Sequence, residues 1–257
     1  NSLEPKALTQ RISDIKRKVD GVITFPFTDN YTMFEIFDKS NVPVLTINRP
    51  GPECKYNYVA ADYFSGSKLV GALFAEIKSE KVWFISTQIA GVFSKEQRYK
   101  GLLEGLKMAG CNAEVRVLLA EKATDRSGYG VVKQALTEES APDGIYCSGD
   151  YLALGAINAL KEHSISVGKQ PGTSVIGSSG FELSANSDPS LTVVQVPMIQ
   201  MGRQAIQKML SLRNVPSHRE EGSLLPTKLI LRDSTPRYLR EQNWLDKIQN
   251  SRTTMHL

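Results

Sequence analysis

The chain has 257 residues, 41% of them hydrophobic and 8% aromatic, with 31 Lys+Arg against 27 Asp+Glu for a net charge of +4. That is enough apolar material for a packed core, and charge spread along the whole length excludes a disordered or collagen-like chain. No apolar stretch reaches the ~20 residues that span a bilayer, and a charge this small marks no nucleic-acid-binding face of the chain itself.

Short β-branched runs recur in chain order, each with the look of a buried strand: Val22 to Phe25, Val44 to Ile47, Val82 to Ile85, Val115 to Leu118, Ile145 to Cys147 and Ser174 to Ile176. Segments with helical spacing alternate with them, at Pro5 to Lys18, Asp29 to Ser40, Ser65 to Lys78, Ser94 to Ala109, Ser127 to Glu139 and Asp150 to His163. Such alternation predicts an α/β protein with parallel sheets flanked by helices. After Gly177 the rhythm changes. A strand at Leu191 to Val194, a helix with Met201, Ala205, Met209 and Leu210 on one face, and a last strand at Lys228 to Leu231 follow. Pro236 to Leu257 forms a weakly amphipathic tail that either frays or covers a surface.

In open α/β sheets ligands sit outside the carboxyl ends of the strands. The residues there are Phe25 to Thr28, Asn48-Arg49, Ser86 to Gln88, Ser148 to Asp150 and Ser178-Ser179. No pair of carboxylates falls among them, which disfavours glycosidase chemistry and magnesium-dependent phosphoryl transfer. Neither GxGxxG nor a P-loop occurs. Gly177 to Gly180 is one residue short of a serine-nucleophile elbow, and His163, His218 and His256 stand away from any such turn. The chain therefore reads as a non-enzyme with no cofactor and no metal site. Cys54, Cys111 and Cys147 form no CxxC, and Asn1 to Asp20 lacks the apolar run of a signal peptide, so the cytoplasm is the expected compartment.

Several patterns then recur together in one family. Pro142 to Ala156 resembles the "PDAIFCANDLMALGA" segment of bacterial LacI/GalR-family transcriptional regulators, Ser174 to Gly177 resembles "SVVGFDD", and Asp188 to Gln195 resembles "DPPLTTVRQ". Met201-Gly202 falls at that family's "MG" helix start, and Leu225 to Thr235 is similar to its closing "LPTELVVRxST". The resemblance implies a two-lobed, type I periplasmic-binding-protein-like effector domain with three crossover strands and the ligand between the lobes. It places residues 1–61 plus 195–221 in the N-terminal lobe, 62–194 plus 222–235 in the C-terminal lobe, and 236–257 in the tail. In the family a helix-turn-helix, a hinge helix and the first strand and helix of the N-terminal lobe precede the residue equivalent to Asn1. The expectation is thus a piece of a longer regulator, with an incomplete first lobe.

The resemblance also nominates site residues. Arg98, in Ser94 to Gly101, matches SxxxRxxG, where the arginine offers a hydrogen-bonding fork to ligand oxygens; Ser94 with Gln97 reads as a capping box. Asn48 either meets ligand hydroxyls or forms a turn, Asp150 either caps its helix or faces the ligand, and Phe25 either stacks on a ring or packs. Where sugar-binding relatives have an Asn before the capping Asp this chain has Gly149, and where they have the first Asp of "GFDD" it has Ser179, also a candidate contact. Both changes remove groups that hold hydroxyls, so a typical monosaccharide is disfavoured over another carbohydrate, a derivative or a different metabolite. The implied function is the effector-sensing domain of a repressor-like regulator that controls operator DNA binding allosterically. Its partners are a small-molecule effector, operator DNA through the absent helix-turn-helix, and a second copy in a homodimer. A solute-binding protein of a transporter is the alternative.

Overall fold

Val82, Trp83, Phe84 and Ile85 are all fully buried, because the strand that carries them is covered on both faces. The computed structural model describes residues 18–25, 42–48, 56–89, 92–212 and 222–253. The chain divides into two compact units, one comprising Asn1–Asp62, Ala90–Glu96 and Pro197–Pro226, the other Tyr63–Ile89, Gln97–Val196 and Thr227–Leu257.

The first unit is built on a four-stranded parallel sheet in the order β1-β2-β3-β9, from β1 (Val22–Thr24), β2 (Val44–Ile47), β3 (Asn57–Asp62) and β9 (Gly222–Pro226). Helix α6 (Met198–Leu212) packs across β1, β2 and β3 through buried Met201 and Ala205. Leu210, expected on that same face, is exposed instead. Two elements depart from the expectation. β3 is a six-residue strand where the β-branched runs announced none. β9 pairs with β3 from Tyr58↔Gly222 to Asp62↔Pro226, so residues 222–226 belong to this unit and not with 222–235 in the other. The helices expected over residues 5–18 and 29–40 lie outside the described residues, except for Lys18, which sits in a turn.

The second unit carries a six-stranded sheet in the order β10-β8-β7-β6-β4-β5. Its strands are β4 (Lys81–Ser86), β5 (Glu114–Leu119), β6 (Gly144–Cys147), β7 (Ser174–Ser179), β8 (Thr192–Gln195) and β10 (Lys228–Ile230). All pairs are parallel except β10 with β8. Alternation along each strand divides the core between the two faces. Trp83, Ile85, Ile145, Cys147 and Val175 pack with α3 (Asp125–Glu138) and α4 (Asp150–Glu162). Val82, Phe84, Tyr146 and Ile176 pack with α1 (Tyr63–Glu76) and α2 (Phe93–Met108). Each large side chain so enclosed contributes about 1.5–3 kcal/mol. The α1 and α2 backbones nearly touch, since a Cβ added at Gly105 would stand 2.2 Å from the carbonyl of Lys68.

A short α5 (Glu182–Ala185) follows β7, and α7 (Tyr238–Glu241) and α8 (Trp244–Thr253) end the described chain. Leu239 and Trp244 are buried in the α1/α2 face of the core. The described part of the tail therefore packs on the second unit, through Leu239 and Trp244, rather than standing apart from it.

Candidate functional site

The second unit gathers its polar side chains at the carboxyl ends of β6 and β7. Arg98, in the second turn of α2, is 6% exposed, and its Nε donates to Ser178 Oγ at 2.7 Å. Its guanidinium carbon lies 3.7 Å from the centroid of the Tyr63 ring at the start of α1. A stacked guanidinium is held in one plane with its hydrogens directed, and the ring face offsets part of the desolvation of the charge.

Behind Arg98 the Tyr146 hydroxyl lies 2.7 Å from Ser67 Oγ. Burial pushes the Tyr146 phenol up from its ordinary value, opposed by the Arg98 charge and by hydrogen bonds with Ser67 and Ser178. Tyr146 accordingly stays neutral and keeps its proton for that network. Phe84 stands 5.3 Å from Tyr99 and 5.6 Å from Tyr146, ring centre to ring centre, which makes an aromatic floor under the polar groups.

Asp150 does something other than cap its helix. Gly149 occupies the cap position, with extended backbone and no side-chain bond. The Asp150 carboxylate turns inward at 2% exposure, where Oδ2 accepts from the Gly180 and Phe181 amides, both at 2.9 Å, and from Ser184 Oγ at 2.6 Å. Gly180 has φ of 83°, a left-handed conformation that suits glycine. Asp150 thus clamps the β7–α5 connection to the start of α4. Burial, aided by the Asp150 charge, holds the Cys147 thiol well above its ordinary range, so that thiol is inert.

The nominated residues separate as follows. Ser178, not Ser179, meets Arg98; the Ser179 hydroxyl turns back onto the Ser178 carbonyl. Ser94 is no cap, because α2 begins at Phe93 and the Val92 carbonyl accepts from the Lys95 and Glu96 amides. In the first unit Asn48 follows β2 with φ of 73°, its amide donating to the Val59 carbonyl at 2.9 Å. Asparagine tolerates that conformation better than most residues, so turn formation accounts for its backbone. Phe25, after β1, is 59% exposed and so is not packed into a core. Sequence reasoning missed Tyr63, Ser67 and Tyr146. The signal for Tyr146 was available, as period-2 alternation puts it on the same sheet face as Phe84 and Ile176.

Among the described residues no group of three or more His, Cys, Asp or Glu is placed to hold a metal, and no helix is long and apolar enough to cross a membrane. The arrangement is suited to binding. It supplies one fixed cationic fork and neighbouring hydroxyls, the chemistry that recognises an oxygen-rich small molecule.

Comparison with known proteins agrees with this fold. Residues 74–235 match the periplasmic binding protein-like domain family. The HTH-type transcriptional regulator RegA of Clostridium saccharobutylicum is 25% identical over 220 residues, covering 86% of this chain and 66% of RegA. The HTH-type transcriptional repressor PurR of Actinobacillus pleuropneumoniae is 26% identical over 196 residues, covering 76% of this chain and 57% of PurR. The chain thus spans less than two thirds of the length of these relatives, which are regulators and do not favour the transporter alternative. A LacI family transcriptional regulator from Enterococcus faecium, solved with bound ribose, has the same fold at a TM-score of 0.78 and 21% identity, over 89% of this chain and 84% of that one. The chain belongs to the periplasmic binding protein-like family, in the form that makes up the effector-binding domain of LacI/GalR regulators.

Proposed function

We propose that the chain is the effector-sensing part of a transcriptional repressor and binds a carbohydrate or carbohydrate derivative. The observation that carries this reading is the buried Arg98, stacked on Tyr63 and bonded to Ser178 at the carboxyl end of β7. Arg98 and Ser178 donate to ligand oxygens, and Asn48, Ser179 and Phe25 are further candidate contacts. Asp150 acts on the ligand indirectly, by fixing the turn that follows Ser179. With its carboxylate engaged inward and Gly149 lacking a side chain, recognition depends on donors, which favours a ligand rich in acceptor oxygens.

Ligand binding shifts an equilibrium between two conformations by its different affinity for each, and so controls operator binding. Operator contacts belong to a helix-turn-helix module such as the names of RegA and PurR denote. A homodimer fits this role, since a two-fold protein matches a palindromic operator.

Calorimetric titration of the chain with ribose, cellobiose and glucuronate tests the reading. At least one should bind, and Arg98→Ala should weaken that binding at least tenfold. No binding by any of the three, or equal binding by Arg98→Ala, contradicts it.

A further inference from the structure

Strand β4 ends on Ser86, whose side chain is fully buried and whose hydroxyl has no hydrogen-bond partner among the described residues. A buried hydroxyl without a partner costs stability and calls for a bond from outside the chain. The backbone around it is fixed on both sides, since the Ser86 carbonyl accepts from the Ala120 amide and the Ile85 carbonyl from the Ser148 amide, each at 2.8 Å. Only the hydroxyl is left over. Thr87 and Gln88, which follow, are half-buried and exposed, so the hydroxyl lies one step below the surface.

Position separates Ser86 from the other buried polar atoms in the same condition. Ser79 precedes β4, at the amino end of the sheet. Trp83 and Trp244 sit inside the two apolar clusters. Asp150 leaves Oδ1 over, but its Oδ2 already takes three donors. Of these groups, Ser86 is the one at the carboxyl end of a strand with its whole polar function unused.

Strand alternation gives the direction of the side chain. Phe84, Tyr146 and Ile176 lie side by side in one row across β4, β6 and β7, on the face packed by α1 and by α2, the helix that carries Arg98. Two residues beyond Phe84 and Ile176 come Ser86 and Ser178, so the unused hydroxyl and the partner of Arg98 share a face and a level of the sheet. β6 lies between them, which sets the two serines about 10 Å apart at an inter-strand spacing of about 4.8 Å. A sugar carries hydroxyls on opposite edges of its ring, so one molecule can meet the Arg98–Ser178 pair at one edge and Ser86 at another. A serine hydroxyl both donates and accepts, as a ligand hydroxyl does, whereas a carboxylate only accepts.

We infer that Ser86 is a further, specificity-determining ligand contact, which selects for a hydroxyl on the effector. The inference rests on the proposed carbohydrate-binding reading and adds a second anchoring point to it.

Calorimetric titration of the wild type, Ser86→Ala and Arg98→Ala with ribose, cellobiose and glucuronate, together with thermal melting of each protein without sugar, is the test. Ser86→Ala should weaken at least threefold the binding of whichever of the three the wild type takes up. Without sugar it should melt about 2–4 °C above the wild type, because the buried hydroxyl that lacks a partner is gone. A serine with a structural role would do the reverse, with melting lowered and affinity kept. A loss of affinity smaller than threefold overturns the inference, and so does a melting temperature no higher than that of the wild type. If the wild type binds none of the three sugars, the ligand reading fails and this inference with it. If Arg98→Ala loses binding while Ser86→Ala keeps it, the ligand reading stands and the role of Ser86 alone is overturned.

Discussion

Arg98 Nε and Ser178 Oγ lie 2.7 Å apart, joining a helix and a strand eighty residues distant in sequence. That bond, with Tyr63 against the guanidinium, leaves little freedom for the arginine, so the fork is aimed before any ligand arrives. Replacing Arg98 by Lys keeps the charge and removes the planar fork. Ligand affinity should fall about tenfold or more, with thermal stability changed little, when both are measured by calorimetry. Full affinity in Arg98→Lys would show that only the charge matters.

Asp150 tests the clamp. Asp150→Ala leaves two amides and the Ser184 hydroxyl without their acceptor in a buried setting. Urea denaturation should show a loss of about 3 kcal/mol. A loss below about 1 kcal/mol, the worth of a single ordinary hydrogen bond, would mean that the connection is held by other contacts.

Tyr146→Phe deletes the hydroxyl that meets Ser67. The expected cost is about 1 kcal/mol in a urea titration, since ring packing against Phe84 is kept. In the intact protein the phenol should not ionise at its usual pH, because burial raises its pKa. In alkaline absorbance titrations near the ordinary tyrosine value of 10.0, Tyr146→Phe should therefore lose no ionising tyrosine relative to the wild type in the native state, and one after denaturation in urea.

Acid lability follows from four surface carboxylates whose pKa values are lowered. Arg116 and Gln134 lower Glu138, Lys81 and Arg116 lower Glu139, Lys133 and Tyr129 lower Glu162, and Ser190 and Arg240 lower Asp233. A carboxylate whose folded value lies below its unfolded one stabilises the fold above the unfolded value, 4.5 for glutamate and 3.8 for aspartate here, and loses that contribution as pH falls through the folded value. Urea midpoints should hold steady from pH 7 to 5 and drop below about 4.5, and Glu139→Gln should show a shallower drop. Equal slopes in the two proteins would remove Glu139 from the explanation.

The strands of the second unit were legible because strands covered on both faces read as unbroken apolar runs, as Val82 to Ile85 does. β9 was not. Gly222 to Pro226 is half exposed, ends in proline and gains its order from pairing with β3, far away in sequence. Arg98 stood out through its SxxxRxxG setting, whereas no pattern in the sequence named Ser178 as its partner. Strand alternation separates the two serines: Ser178 shares a face with Ile176, toward the helix that carries Arg98, and Ser179 points the other way. The role of Asp150 was hidden for a similar reason, since its partners come from a turn thirty residues later.

Nitrogen-detected NMR of the Arg98 side chain during titration with whichever of ribose, cellobiose or glucuronate binds tests the central claim most directly. A saturable shift of the Arg98 Nε–H signal together with the Ser178 amide is the predicted result. Saturation of binding with both signals unmoved would contradict the account.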